Sequence, residues 1–293
     1  MQAPNQPTFA IIGCGTLGTA IAAGILNPRD QTTTSVKHLI ATVGTESSKS
    51  RLQNALSAHS SKLTVYTQEN NTRAVEEADV VILAVKPFKR ASVFPAPGFR
   101  EAITGKLALS IMAGITTKEL NRLTFGDHGP SGKIPPFQTV RAMPNMAARI
   151  REAVTLYTGS AETTEANLQI ASWVFSQVGE AHRIPKGSFD ICAVLVGCAG
   201  SLLLVAINGL LDAAVAEGVR RPEVQNLVVN SAIGMMRLFM PAGDHPGVLR
   251  EKIASPGGCS IRALLELEKL GARAAFTSAI MAAAEKSKSM SSS

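Results

Sequence analysis

Short apolar runs alternate with amphipathic segments over the first 160 residues of the chain. Residues 9–13 (F-A-I-I-G) are apolar up to a closing glycine, the pattern of a buried strand. Residues 16–26 carry small and apolar side chains at helical spacing, and Asn27-Pro28 stops that helix. The pattern then predicts a strand over 38–43, a helix with one polar face over 47–56 and a strand over 63–66. A helical turn over 71–77 leads into 80–85 (V-V-I-L-A-V), the clearest strand in the chain, which Lys86-Pro87 ends. A strand over 107–112 is stopped by Ala113-Gly114, and a short helix follows over 117–123. Residues 126–136 are rich in Gly and Pro and read as a loop, and strands follow over 139–142 and 154–158. Strands alternating with helices at this spacing predict a mostly parallel, doubly wound sheet.

After residue 163 the period changes and the pattern is helical, over 165–178, 188–217, 222–240, 246–254, 261–270 and 272–288. Pro222 and Pro246 suit first-turn positions, and Gly218 and Gly271 suit helix stops. The expected organisation is an α/β Rossmann domain over residues 1–165 and an all-α domain for substrate and dimerisation over 166–288, with the boundary inside 159–187. Residues 289–293 are expected to form a disordered tail.

Composition narrows this picture. Of 293 residues 45% are hydrophobic and 17% charged, a core-forming balance, while aromatics are only 4%. So apolar a chain with so few rings should pack helices closely, small residue against small residue. The net charge of +7 is dispersed, with no run of five Lys or Arg, which suits small anionic ligands better than nucleic acid. Cys14, Cys192, Cys198 and Cys259 share no C-x-x-C spacing and accompany no His motif. A disulfide scaffold or a metal site is therefore not expected, and the thiols read as reduced, in a cytoplasmic protein. Residues 1–8 lack the basic region of a signal peptide. Residues 191–211 carry no charge and are long enough to span a membrane, but Gly197, Gly200, Ser201, Asn208 and Gly209 interrupt them and Asp190 and Asp212 bracket them. A helix buried in a domain or a subunit interface is the expectation, with no membrane partner.

Four motifs carry chemistry. The first is G-x-G-x-x-G, formed by Gly13, Cys14, Gly15, Thr16, Leu17 and Gly18 between a strand and a helix. Gly13 permits the tight turn, Gly15 lets backbone approach a pyrophosphate at the helix N-terminus, and Gly18 lets helix pack on strand. At the end of the second strand, where an acid would mark NAD, the chain reads T-V-G-T-E-S-S-K-S-R over residues 42–51. Hydroxyls, Thr45 among them, with Lys49 and Arg51 can donate to a 2′-phosphate, so NADP(H) is expected over NAD(H). Glu46 argues against this if it points inward. The second motif is Ala84, Val85, Lys86 and Pro87 at a strand's carboxyl end, where a backbone turn can line a dinucleotide. The third is R-A-M-P-N, ending in Asn145, whose amide can fix a carboxamide ring. The fourth is S-P-G-G-C-S over residues 255–260, opening a helix. Its glycines let successive N–H groups converge on an anion such as a substrate carboxylate.

These motifs, in this order, resemble the pyrroline-5-carboxylate reductase family from about residue 9 to 288. A-V-K-P, R-x-M-P-N and S-P-G-G are the most specific, and L-L-E-L-E-K-L-G-A-R-A-A (264–275) also resembles that family's C-terminal region. The resemblance implies an N-terminal Rossmann domain and a helical domain forming an intertwined dimer, often assembled into a decamer. It implies hydride transfer from NAD(P)H to the C=N carbon of a small anionic cyclic imine, an NADP-linked oxidoreductase step of proline and amino-acid biosynthesis. Carried over by position, the 13–18 loop, Asn71, Ala84 to Pro87, Ala113, Gly114 and Asn145 would hold cofactor. Ser255, Gly257, Gly258, Cys259 and Ser260 would hold substrate. Ser260 stands where the family usually has Thr and is the implied catalytic hydroxyl beside the imine nitrogen.

Two stretches depart from the family. G-S-G-P-A-Y is here G-C-A-G-S-L over 197–202, and M-P-N-T-P-A is M-P-N-M-A-A over 143–148. Both changes make their surroundings more apolar, which points toward a substituted or larger cyclic imine from a specialised pathway. Two other readings stand beside this one. A hydroxyacid-type dehydrogenase would want a Lys or His in the long apolar helix, which has neither. A divergent non-redox or scaffolding member of the fold is kept open by the lost G-S-G-P-A-Y.

Overall fold

The computed structural model describes residues 6–29, 35–126, 138–243 and 245–291. Strands β1 (Thr8–Ile12), β2 (His38–Val43), β3 (Leu63–Thr67), β4 (Val80–Leu83), β5 (Leu107–Ser110), β6 (Gln138–Pro144), β7 (Ala153–Gly159) and β8 (Gly179–Arg183) form one sheet. Its order is β3-β2-β1-β4-β5-β6-β7-β8. All pairings are parallel except β6 with β7. Helices α1 (Thr16–Leu26), α2 (Glu46–Ala55), α3 (Asn71–Glu76), α4 (Phe99–Ile103), α5 (Thr117–Phe125) and α6 (Glu165–Ser176) connect the strands. The expected 126–136 loop lies, apart from Gly126, outside the described residues.

The unbroken apolar runs follow from burial on both faces. Phe9 and Ile11 of β1, with Val80 and Ile82 of β4, enter one core. Ala10 and Ile12, with Val81 and Leu83, enter the other. On the first side α6 brings Trp173, Val174 and Phe175 into the core, with Trp173 stacked on Phe9 at 6.0 Å between ring centroids. On the second side Phe94 meets Phe99 edge to face at 5.6 Å.

Two elements differ from the sequence expectation. The helical stretch ends at Ser176, and β8 follows, reading G-E-A-H-R with its charged side chains exposed. An edge strand buries little, so no alternation marks it, and its charges keep the open edge from pairing with another chain. Helix α4 is five residues long, too short for a helical period to appear.

The remainder is helical: α7 (Lys186–Ala216), α8 (Arg221–Ala242), α9 (Pro246–Ile253), α10 (Cys259–Lys269) and α11 (Ala272–Ser291). The chain divides into two compact units, Met1–Gly197 with Ala284–Ser293, and Cys198–Ala283. That division falls later than the composition shift near 165, because α6, β8 and the start of α7 pack on the sheet. Phe189 and Ala193 of α7 join Leu156 of β7 in a third, small core. Arg141 of β6 pairs with Asp190 at 2.9 Å and lies under the Phe189 ring at 4.7 Å. At the other end, α11 continues to Ser291, through part of the stretch expected to be disordered.

In the second unit Leu211 is the only buried residue among those described. Leu204, Val205, Leu227, Met240 and Leu270 are all more than 65% exposed. Helix α7 is long and apolar enough to cross a membrane, with a mean hydropathy of 2.3 over its most apolar 18-residue stretch, of which 11% is buried. Burial on all sides, expected from its sequence, is not met within a single chain.

Of the described glycines, Gly179 leaves the least room for a side chain. Its φ is +150°, and a Cβ there would lie 2.0 Å from the Ala153 carbonyl oxygen. Gly179→Ala is therefore expected to cost roughly 3 kcal/mol or more. Urea unfolding checks this, the expected result being a lower midpoint at an unchanged slope.

Candidate dinucleotide-binding site

The chain passes from β3 on one side of β1 to β4 on the other, which leaves a crevice at the strands' carboxyl ends. Open parallel sheets take ligands there. The turn between β1 and α1 builds the floor. Gly13 adopts φ +84°, and its N–H donates to Thr42 Oγ1 at 3.1 Å. The Cys14 N–H donates to the Thr42 carbonyl at 2.6 Å. A Cβ on Gly13 would sit 2.4 Å from Val85 Cγ1, so no side chain fits between the turn and the end of β4.

Gly15 is the N-cap of α1, and no side chain caps that helix. Nothing lies within 4 Å of where a Gly15 Cβ would be, so the helix N-terminus is open to an approaching anion. A Cβ on Gly18 would meet Ile11 Cγ2 at 3.3 Å and Cys14 Sγ at 3.4 Å, which is why α1 lies so close to β1. The Cys14 thiol is buried beneath the turn, 4.0 Å from Thr19 Oγ1. Burial pushes its pKa up from the ordinary 9.0 to about 12. It is a protonated packing group, with none of the thiolate character of a nucleophile.

A cavity of about 240 Å³ opens above this floor. Of the residues expected to hold cofactor, it brings together Gly13, Cys14, Gly15, Asn71, Ala84, Val85 and Lys86. Thr16, Leu17 and Gly18 continue into α1, and Pro87 opens the short 3-10 turn Pro87–Ser92. Ala113 and Gly114 follow β5, and Asn145 follows β6. None of these seven lines the cavity, although each lies at or just beyond the carboxyl end of a strand or inside α1. Buried Asn71 Oδ1, which belongs to a residue lining the cavity, and Asn145 Oδ1 have no hydrogen-bond partner. An unpaired buried acceptor costs roughly 1–3 kcal/mol, so both amides suit a ligand that donates to them.

The end of β2 resolves the question of Glu46. Its carboxylate is 75% exposed and pairs with Lys49 Nζ at 3.7 Å, and neither residue lines the cavity. Thr45 is spent capping α2, its hydroxyl accepting from the Ser48 N–H at 3.2 Å. Arg51 does line the cavity, beside Ser48, whose Oγ accepts from its Nη2 at 3.3 Å. Sequence reasoning missed Gln68, Phe88, Lys89, Ser92 and Val93 as lining residues. The one available signal was the cations just past A-V-K-P. Among the described residues no carboxylate lines the cavity, while Arg51, Lys86 and Lys89 do. The residues present therefore fit a dinucleotide with an anionic adenosine end.

The expected substrate residues form the turn before α10 in the second unit. The Gly258 N–H donates to the Ser255 carbonyl at 3.1 Å. Gly258 is the N-cap of α10, with no side-chain cap, and Cys259 and Ser260 are the first helical residues. In α7, the Ser201 hydroxyl donates back to the Cys198 carbonyl at 2.8 Å.

A mostly parallel sheet with a dinucleotide cradle at its switch point, lined by no carboxylate among the described residues, and followed by a helical unit, defines a nicotinamide-dependent oxidoreductase of the Rossmann class. Residues 8–114 match the family model "NADP oxidoreductase coenzyme F420-dependent", and residues 186–290 match "Pyrroline-5-carboxylate reductase dimerisation". A Neurospora crassa pyrroline-5-carboxylate reductase is 32% identical, over 96% of this chain and 92% of that one. A Curvularia clavata delta-1-pyrroline-5-carboxylate reductase is 31% identical, over 100% and 99%. The fold is shared with Plasmodium falciparum pyrroline carboxylate reductase, solved with NADP bound, at a TM-score of 0.79 and 24% identity over 98% and 99% of the two chains. The chain belongs to the pyrroline-5-carboxylate reductase family.

Two outcomes follow from the geometry. Because Gly15 faces open space, Gly15→Asp is expected to leave thermal stability nearly unchanged while weakening NADPH binding at least a hundredfold, as measured by calorimetric titration. Because the Cys14 pKa is raised on folding, its contribution to stability is complete below pH 9 and is lost as pH rises toward 12. Iodoacetamide at pH 8.5 should therefore spare Cys14 in the folded protein and modify it in urea, as read by peptide mass spectrometry.

Proposed function

We propose that the chain is an NADPH-dependent reductase of Δ1-pyrroline-5-carboxylate, forming proline, and that it works as a homodimer. The observation that carries the cofactor preference is the acid-free cavity, with Arg51 and Ser48 inside it and Glu46 turned away to Lys49. When bound, the reduced nicotinamide supplies a hydride to the imine carbon. The open N-terminus of α1 and the 13–18 loop take the pyrophosphate. Asn145 holds the carboxamide and so fixes which ring face is presented. The turn of Ser255, Gly257, Gly258 and Cys259 takes the substrate carboxylate on converging N–H groups. The Ser260 hydroxyl donates to the imine nitrogen, which polarises the C=N bond toward hydride attack and places a proton where the product amine needs one.

The homodimer reading rests on the second unit, whose apolar side chains find no core within one chain. Such surface is covered in an obligate interface. A second substrate reading has its own observation. The 197–202 stretch lacks the hydroxyl, proline and tyrosine of the family pattern, and Ser201, its one hydroxyl, is turned to the Cys198 carbonyl. This supports a ring-substituted or larger cyclic imine as the preferred substrate.

Oxidation of NADPH at 340 nm with pyrroline-5-carboxylate, methylated analogues and ring-expanded analogues separates these readings. Turnover on at least one is expected, with kcat/KM ranking the panel, and no turnover on any would overturn the reductase reading. Ser260→Ala is expected to lower kcat at least tenfold with NADPH affinity unchanged. Arg51→Ala is expected to raise KM for NADPH about tenfold and leave KM for NADH within twofold, since one charge-assisted contact is worth roughly 1.5–3 kcal/mol.

A further inference from the structure

We propose that the turn Pro87–Ser92 is an adenosine clamp, in which Phe88 stacks on the adenine ring and Lys89 joins Arg51 on the 2′-phosphate. The proposal rests on the dinucleotide reading of the cavity and adds the residues that select its adenosine half.

Phe88 lines the cavity yet is 71% exposed. The chain leaves this aromatic surface uncovered at the mouth of the site, whereas Phe94 and Phe99 nearby pack edge to face in the core. Lys86 Nζ stands 5.9 Å from the Phe88 ring centroid, within cation–π range, which steadies the ring beside the cavity. A planar, electron-poor heterocycle is the partner such a ring takes, and every nucleobase offers a face for stacking.

Lys89 supplies the other half. It follows β4, but its Nζ reaches across to the end of β2 and lies 3.9 Å from where a Cβ on Gly44 would be. In sheets of this class the end of β2 reads the 2′ position of the adenosine ribose. Arg51 enters the same cavity from α2, so a cation from each side faces the space above Gly44. Among the described residues the Lys89 ammonium has no carboxylate partner and no carboxylate lines the cavity. Two facing cations and a hydroxyl suit a dianion such as a phosphate monoester.

The two roles separate by ligand. Calorimetric titration of the full-length protein with NADPH and with NADH reads both. Phe88→Ala is expected to raise both Kd values by about tenfold, because both ligands carry adenine, and Phe88→Trp is expected to restore them. In Phe88→Trp, the added exposed indole emission should be quenched on titration with adenosine 2′,5′-bisphosphate. Lys89→Ala is expected to raise the NADPH Kd about tenfold and leave the NADH Kd within twofold. Unchanged affinities in Phe88→Ala, or equal losses for both ligands in Lys89→Ala, would overturn the clamp. If the unsubstituted protein binds neither ligand, the dinucleotide reading itself falls. If it binds both and the substitutions act otherwise than stated, only the clamp falls.

Discussion

Backbone at Gly13 lies against Val85 with no room for a side chain between them. That contact brings the turn after β1 to the end of β4, and the two hydrogen bonds to Thr42 bind the same turn to β2. Three strand ends are thereby held around one helix N-terminus. Gly18 keeps α1 on β1, so the partial positive charge of the helix end is aimed at the crevice. The cavity, the acceptors left on Asn71 and the cations around it gain meaning only from this arrangement. A larger residue at 13 would push β4 away from the turn and disperse all of them.

Charge placement then decides what the cradle accepts. Glu46 is the one carboxylate close in sequence to the ribose-reading end of β2, and its pairing with Lys49 on the exposed face of α2 removes it from the cavity. Arg51, five residues on, falls on the other face of the same helix and enters the site. A single helical turn thus separates a repelling group from an attracting one. The second unit follows a different logic. Its helices bury almost nothing within one chain, and its match to a dimerisation family supplies the reason.

Much of this was legible in the sequence, for physical reasons that also explain the gaps. β1 and β4 stand out because both of their faces are buried, which forces unbroken apolar runs. β8 left no such trace, since an exposed edge needs no apolar face and its G-E-A-H-R reads as loop or helix end. Helix α6 was legible as a helix but not as part of the sheet unit, because nothing local shows that Trp173 stacks on Phe9 from 164 residues away. At the site, the glycine loop and A-V-K-P were readable as motifs. Phe88, Lys89 and Gln68 were not, because they meet only once strand order places β4 and β2 on either side of β1. Lys49 and Arg51 looked equivalent in the sequence, and only the helix period separates them.

The proposed reaction passes a hydride to the imine carbon of a small cyclic acid and a proton to its nitrogen. The most direct measurement uses NADPH deuterated at both C4 positions of the dihydronicotinamide and pyrroline-5-carboxylate as substrate, with mass spectrometry of the product. The expected product is proline carrying one deuterium, at ring carbon C5, with none lost to solvent. Proline formed without deuterium, or cofactor oxidised with no reduced imine, would contradict it.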